Sequence, residues 1–133
     1  GTNDLKTRLS ASAYEIAEGA GVLVDRVLVS DAGPEERAPG VLLVAPPPVV
    51  DVSGWAALDP GAYEGFEQGW QDAEERSRQF AAQYARVARV RGVPFLDAGA
   101  HVASSDADGI HWSAEGHAAL GRAVAAAVVE HWG

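Results

Sequence analysis

Cysteine and methionine are both missing from the 133-residue sequence. Without cysteine the chain can form neither a disulfide framework nor a thiolate metal site, and it has no Cys nucleophile. No apolar run approaches the ~20 residues that a membrane helix needs, so we expect no membrane association. Basic residues are scarce, ten against nineteen acidic ones, for a net charge of −9, which argues against nucleic-acid binding. The remaining class is an ordinary globular chain, since 47% of the residues are apolar.

The sequence begins with Gly1-Thr2-Asn3-Asp4 and shows neither an initiator methionine nor a signal region. We therefore expect this start to be a processed or cut end, or an internal boundary of a longer polypeptide. The length suits one domain or part of one.

Hydrophobic periodicity predicts three helices that alternate with two strands. The helices are expected at about residues 13–28, 66–91 and 114–131, the last with Ser113 as its N-cap. The strands are expected at 41–45 and 93–98, and the first is continuously apolar, as parallel strands covered on both faces are. This alternation predicts a parallel α/β sheet with crossover helices. An all-helical bundle with two buried apolar loops is the alternative.

Two strands make too small a sheet for three amphipathic helices. Such a pair would also leave the apolar edge at 41–45 unpaired. We therefore expect further strands to be supplied from outside this chain.

The segment between the second strand and the last helix contains Asp108-Gly109-Ile110-His111. Loops at the carboxyl ends of parallel strands are where sites form in α/β folds. An Asp three residues before a His can bind one ring nitrogen and leave the other as a base. Taken alone, the same pattern is more often a surface Asp beside a helix-entry His, and Asp106 is a second, less well spaced carboxylate.

Asn3 and His117 are two further polar residues next to predicted helix starts. An Asn amide is a neutral donor suited to a developing oxyanion, but Asn is also an ordinary turn or capping residue. His117 is expected to pack under Trp112 at the start of the last helix.

The motifs, in this order, closely resemble the second half of the SGNH (GDSL-type) hydrolase family. Residues 1–6 (GTNDLK) look like the third sequence block of that family, and residues 108–111 (DGIH) look like its fifth. Residues 44–48 (VAPPP), which close a strand, are similar to the arylesterase and acyltransferase branch. The resemblance spans essentially the whole chain.

The resemblance implies a three-layer α/β/α sandwich with a parallel, flavodoxin-like sheet, of which residues 1–133 form the C-terminal part of a single domain. It implies that His111 is the general base, that Asp108 orients it, and that Asn3 donates to the oxyanion. The first two blocks are missing, and none of the eight Ser residues lies in a G-D-S turn. The nucleophilic Ser is therefore expected on an upstream segment of the same protein.

The function implied by the resemblance is hydrolysis of aryl or short-chain acyl esters through an acyl-serine intermediate, or acyl transfer to alcohols. No cofactor and no metal are expected. The alternatives are a carbohydrate-ester deacetylase of the same family, and a non-enzymatic α/β interaction module that lacks the nucleophile.

The connection over 46–64 is long for a link between a strand and a helix, and it would overhang the site. It is interpreted as an acyl- or aryl-binding wall for a small ester, as a contact in a homo-oligomer, or as a packed surface loop. The candidate substrate-binding residues are Pro47, Val49 and Trp55, with Ile110 from the loop opposite.

Overall fold

A computed structural model describes residues 1–52 and 68–133. The α-helices there are α1 (Ala13–Leu28), α2 (Ala73–Ser77), α3 (Phe80–Arg91) and α4 (Ala114–Trp132). The strands there are β1 (Leu43–Ala45) and β2 (Phe95–Asp97). Short 3₁₀ segments cover Thr2–Leu5, Thr7–Leu9, Pro34–Glu36, Gln68–Trp70 and Ala98–Ala100.

The two strands form a parallel pair in which Leu43 lies opposite Phe95 and Ala45 opposite Asp97. This confirms the parallel α/β arrangement and excludes the all-helical bundle. Both strands are shorter than expected. At the start of β2, Pro94 has no N–H to donate to a ladder, and its carbonyl instead accepts from Leu43 N at 2.9 Å.

The core lies between α1, α3 and one face of the strand pair. Ile16, Val24, Phe80 and Val87 are each at most 5% exposed, so the apolar stripes predicted for the two helices do face each other. Phe80 packs edge-to-face on Tyr84 with 5.7 Å between ring centroids. The helical periodicity therefore identified the buried faces of α1 and α3.

The second helix was expected to be continuous, and this prediction is wrong within the described residues. The chain is helical over α2 and α3 but interrupted between them, and Asp72 before α2 has a left-handed φ of 59°. Ser77 Oγ donates to the carbonyl of Glu74 at 2.9 Å, the local back-bonding by which Ser weakens helices. The predicted end of α3 at Gly92 is confirmed, with φ at 66°.

The last helix begins as predicted, because Ser113 Oγ accepts from Gly116 N at 3.1 Å. The Trp112 and His117 rings also meet, with 5.1 Å between centroids. No residue of α4 is fully buried, however. In its apolar stripe Leu120 and Val124 are half-buried and Val128 is 44% exposed, so the described residues cover the stripe only in part. None of the described helices is both long and apolar enough to span a bilayer.

Candidate active site

The loop over residues 104–112, here named the His loop, is closed by its own backbone. Ser105 N donates to His111 O at 2.8 Å, and Gly109 N donates to Ser105 O at 2.9 Å. Gly109 has a φ of 74°, a conformation that glycine adopts without steric cost. This turn brings the side chains of Asp108 and His111 onto the same side of the loop.

Asp108 binds His111 through both oxygens of its carboxylate. Oδ2 lies 2.7 Å from His111 Nδ1, while Oδ1 accepts from the backbone N–H groups of Ile110 and His111, each at 2.8 Å. An ionised carboxylate only accepts hydrogen bonds, so Nδ1 carries the proton and Nε2 is the nitrogen that can take up another. The carboxylate is buried, with Asp108 8% exposed, whereas the His111 side chain is 67% exposed.

The charge on Asp108 is stabilised despite its burial. Burial is the largest influence and opposes ionisation. It is outweighed by the backbone N–H groups of Ile110 and His111 and by the His111 ring, which hold the pKa of Asp108 below its ordinary value of 3.8. The carboxylate is therefore negative at neutral pH and can stabilise a positive charge on the imidazole.

The His loop docks on the stretch that follows β1, residues 46–51, here named the proline segment. Val50 N donates to Gly109 O at 2.9 Å, and Ser104 Oγ donates to Pro48 O at 2.9 Å. The contact is tight, because a Cβ built on Gly109 would lie 2.3 Å from Asp51 O. The His loop is thereby fixed at the carboxyl end of β1, where sites form in parallel sheets.

Asn3 is exposed and lies in the 3₁₀ segment Thr2–Leu5. Leu5 anchors this segment from below, since its side chain is fully buried in the core. Gly1 touches the proline segment: a Cβ built there would come 3.3 Å from Pro46 Cγ. The structure thus attaches both residues 1–11, here named the Asn3 segment, and the His loop to the residues that follow β1.

Comparison with solved structures gives high similarity over 98% of the chain. A carbohydrate acetylesterase from Sinorhizobium meliloti is 37% identical with a TM-score of 0.85. The aryl esterase of M. smegmatis is 32% identical with a TM-score of 0.84. A carbohydrate acetylesterase family member from Sinorhizobium meliloti is 27% identical with a TM-score of 0.83. No family model and no curated protein matches the chain.

The chain is thus similar, over almost its whole length, to esterases of the SGNH type. It spans 57% of the length of each of these three structures. The SGNH resemblance drawn from residues 1–6 and 108–111 is therefore confirmed, with the chain matching only part of each esterase. The roles of individual side chains remain predictions.

The structure describes three of the four predicted substrate-binding residues. Pro47 and Val49 are buried, Val49 being 1% exposed in the core. Side chains in extended backbone alternate between faces, so these two point inward, and their burial argues against direct substrate contact. Ile110 is half-buried on the His loop. Trp55 lies outside the described residues.

The structure also shows where the rival carboxylate lies and whether the described side chains form a metal-binding cluster. Asp106, the rival of Asp108, is exposed. Across residues 1–52 and 68–133, no group of three or more His, Cys, Asp or Glu side chains could hold a metal ion.

The sequence analysis missed three residues whose hydrogen bonds hold the backbone around the candidate site. Ser104 is 7% exposed and ties the His loop to Pro48. Ser77 is 1% exposed, and its Oγ accepts from Val49 N at 3.0 Å. Arg76 binds backbone carbonyls of the Asn3 segment. A polar side chain that serves a distant backbone leaves no periodic signal, so only the tertiary structure reveals these three.

Proposed function

We propose that this chain supplies the general base, its orienting carboxylate and one oxyanion donor of a serine esterase that acts on aryl or short-chain acyl esters. The observation that carries the proposal is the 2.7 Å contact between the buried Asp108 carboxylate and Nδ1 of the exposed His111 ring. Esterase neighbours with TM-scores of 0.84 and 0.85 support the same chemistry.

In the proposed reaction a Ser Oγ–H gives its proton to His111 Nε2 while Oγ attacks the ester carbonyl carbon. The carbonyl π electrons move onto oxygen, and the Asn3 amide donates to that oxyanion. When the tetrahedral species collapses, the bond to the alcohol breaks and His111 returns the proton to the leaving oxygen. Water then repeats the sequence on the acyl-serine and releases the acid.

We propose that the Ser lies on an upstream segment of the same protein that completes the sheet. The described sheet has two strands, and the described residues bury no residue of α4 completely. The two esterases of known structure are longer than this chain, which matches 57% of their length. An upstream segment that added strands and a layer of helices would give the three-layer α/β/α sandwich expected for the family.

Two classes of ester are candidate substrates. One neighbour is an aryl esterase, and another, 37% identical, is a carbohydrate acetylesterase. Deacetylation of a sugar ester is therefore the second candidate activity. A non-enzymatic module is the outcome expected if the full-length protein lacks the Ser.

Labelling the full-length protein with a fluorophosphonate tests the split of the triad. We expect one phosphonylated Ser, located by peptide mass spectrometry outside these 133 residues, and loss of labelling in His111→Ala. The exposed Asp106→Ala serves as the control and should label normally. A label on any of the eight Ser residues of this chain, or no labelling of the wild type, would overturn the proposal.

A substrate panel then separates the candidate activities. The kcat/KM values for p-nitrophenyl acetate, p-nitrophenyl butyrate and an acetylated sugar should favour the aryl esters, and a preference for the sugar would select the deacetylase. Adding an alcohol and measuring the ester formed against the acid released shows whether the acyl group is also transferred.

A further inference from the structure

We propose that Arg76 is a positioning residue that holds the Asn3 amide in place for oxyanion stabilisation. The inference rests on the proposed role of Asn3 and adds to it the group that fixes its segment. Arg76 lies on α2, far from Asn3 in sequence, and its guanidinium reaches across to the backbone on both sides of the turn Thr7–Leu9.

The guanidinium of Arg76 bridges two points of the Asn3 segment. Nη1 donates to Ala11 O at 2.7 Å, and Nη2 donates to Leu5 O and, at 3.0 Å, to Gln71 O. Leu5 lies two residues after Asn3 and ends the same 3₁₀ turn. One planar cation therefore fixes both ends of the stretch 5–11.

Arginine suits this position because its five N–H donors have a fixed geometry and its charge is permanent. Hydrogen bonds from a charged donor are about twice as strong as neutral ones. Lysine would present one rotating ammonium on a flexible stem and would not match carbonyls on opposite sides of the fork.

Two weaker contacts hold the same segment to the chain just before α2. Gln71 N donates to Thr7 Oγ1 at 3.0 Å. The ammonium of Lys6 lies 5.8 Å from the centroid of the Trp70 ring, within the range of a cation–π contact. These contacts locate the segment at Lys6 and Thr7, whereas Arg76 binds it at both Leu5 and Ala11.

The helix α2 also carries Ser77, which binds the proline segment on which the His loop docks. Ser77 Oγ accepts from Val49 N at 3.0 Å, and the adjacent Val50 N donates to Gly109 O at 2.9 Å. The neighbours Arg76 and Ser77 thus fix the Asn3 segment and the proline segment from one helix. This arrangement sets the position of Asn3 relative to His111.

The experiment is a double-mutant cycle between Arg76→Ala and Asn3→Ala in the full-length protein, with p-nitrophenyl acetate as substrate. A small misplacement of a catalytic group can cost ~10²-fold, so Arg76→Ala should lower kcat by about that factor with KM nearly unchanged. In the Asn3→Ala background, Arg76→Ala should lower kcat no further, because the amide it positions is gone. Millimolar guanidinium should restore part of the lost kcat only when Asn3 is present.

Arg78→Ala is the matched control. Arg78 is two residues away, its side chain is 66% exposed, and it pairs with Glu74 at 2.6 Å on the surface. Its variant should keep the wild-type kcat. If Arg76→Ala does not fold, Arg76→Lys replaces it in the same cycle and should show a smaller kcat loss that also disappears without Asn3.

The outcomes separate this inference from the proposed function. If Asn3→Ala keeps the wild-type kcat, the oxyanion role of Asn3 is wrong and the role of Arg76 falls with it. If Asn3→Ala loses activity but the Arg76 substitution multiplies that loss, or changes only the melting temperature, Arg76 is a structural residue and this inference alone is overturned.

Discussion

Replacing Asp108 by Asn would separate the electrostatic role of this carboxylate from its role in shaping the His loop. The amide oxygen of Asn can still accept from the N–H groups of Ile110 and His111, now 2.8 Å from Oδ1. The amide NH₂ then takes the place of Oδ2, 2.7 Å from Nδ1 of His111. Two donors cannot face each other, so Nδ1 must give up its proton and become the acceptor.

The proton then moves to Nε2, the nitrogen that has to accept from Ser. The wrong tautomer costs ~10⁴ in kcat in the best-studied serine protease, which corresponds to about 5.5 kcal/mol of transition-state stabilisation. We expect a loss of that order for Asp108→Asn. Asp108→Ala should in addition destabilise the fold, since bonds to a charged acceptor contribute about 1.5–3 kcal/mol each.

The assay is kcat and KM for p-nitrophenyl acetate on the full-length protein, with melting curves for both variants. Asp106→Asn is the control, because that carboxylate is exposed two residues away. Retention of activity within tenfold in Asp108→Asn would refute the tautomer argument. A large loss in Asp106→Asn would move the orienting role to that residue.

Three further predictions concern the oxyanion, the acid limit of stability and the tight turn. Asn3→Ala should lower kcat by ~10²–10³ with KM little changed, and steady-state kinetics would contradict this if kcat were unaltered. The pKa of Asp108 is depressed below 3.8 in the folded chain, so the stability contributed by its charge is complete above pH 3.8 and is lost as the pH falls through the folded pKa. The difference in melting temperature between wild type and Asp108→Asn should therefore shrink in acid. A difference that grew in acid would be inconsistent with a depressed pKa. Gly109→Ala should destabilise the folded protein by about 1–3 kcal/mol because the new Cβ would meet Asp51 O at 2.3 Å. Gly19→Ala is the control, since a Cβ there has no atom within 4 Å, and it should not destabilise the fold. Denaturant midpoints of the two variants test this difference.

The sequence predicted the first and last helices well because their signals are local. Apolar spacing was enough to place α1, and apolar spacing with the Ser113 cap was enough to place α4. The interruption between α2 and α3 was not predictable in this way. It coincides with Ser77, whose hydroxyl serves both Glu74 O and Val49 N, and the second partner is distant in sequence.

The pairing of Asp108 with His111 was also predictable, because a three-residue offset in a short loop restricts where the two side chains can go. The burial of Pro47 and Val49 was not predictable, since an apolar run such as residues 46–50 does not reveal which side chains of an extended stretch face inward. Val49 proved to be core. The positioning of Asn3 was the least visible, because Arg76 acts on carbonyls 65 and 71 residues away. A backbone carbonyl is the same for every residue type, so the sequence of residues 5–11 carries no mark of the cation that binds it. The position of the Arg76 guanidinium is therefore what identifies its role, and the test of that role is whether the effect of removing Arg76 depends on the presence of Asn3.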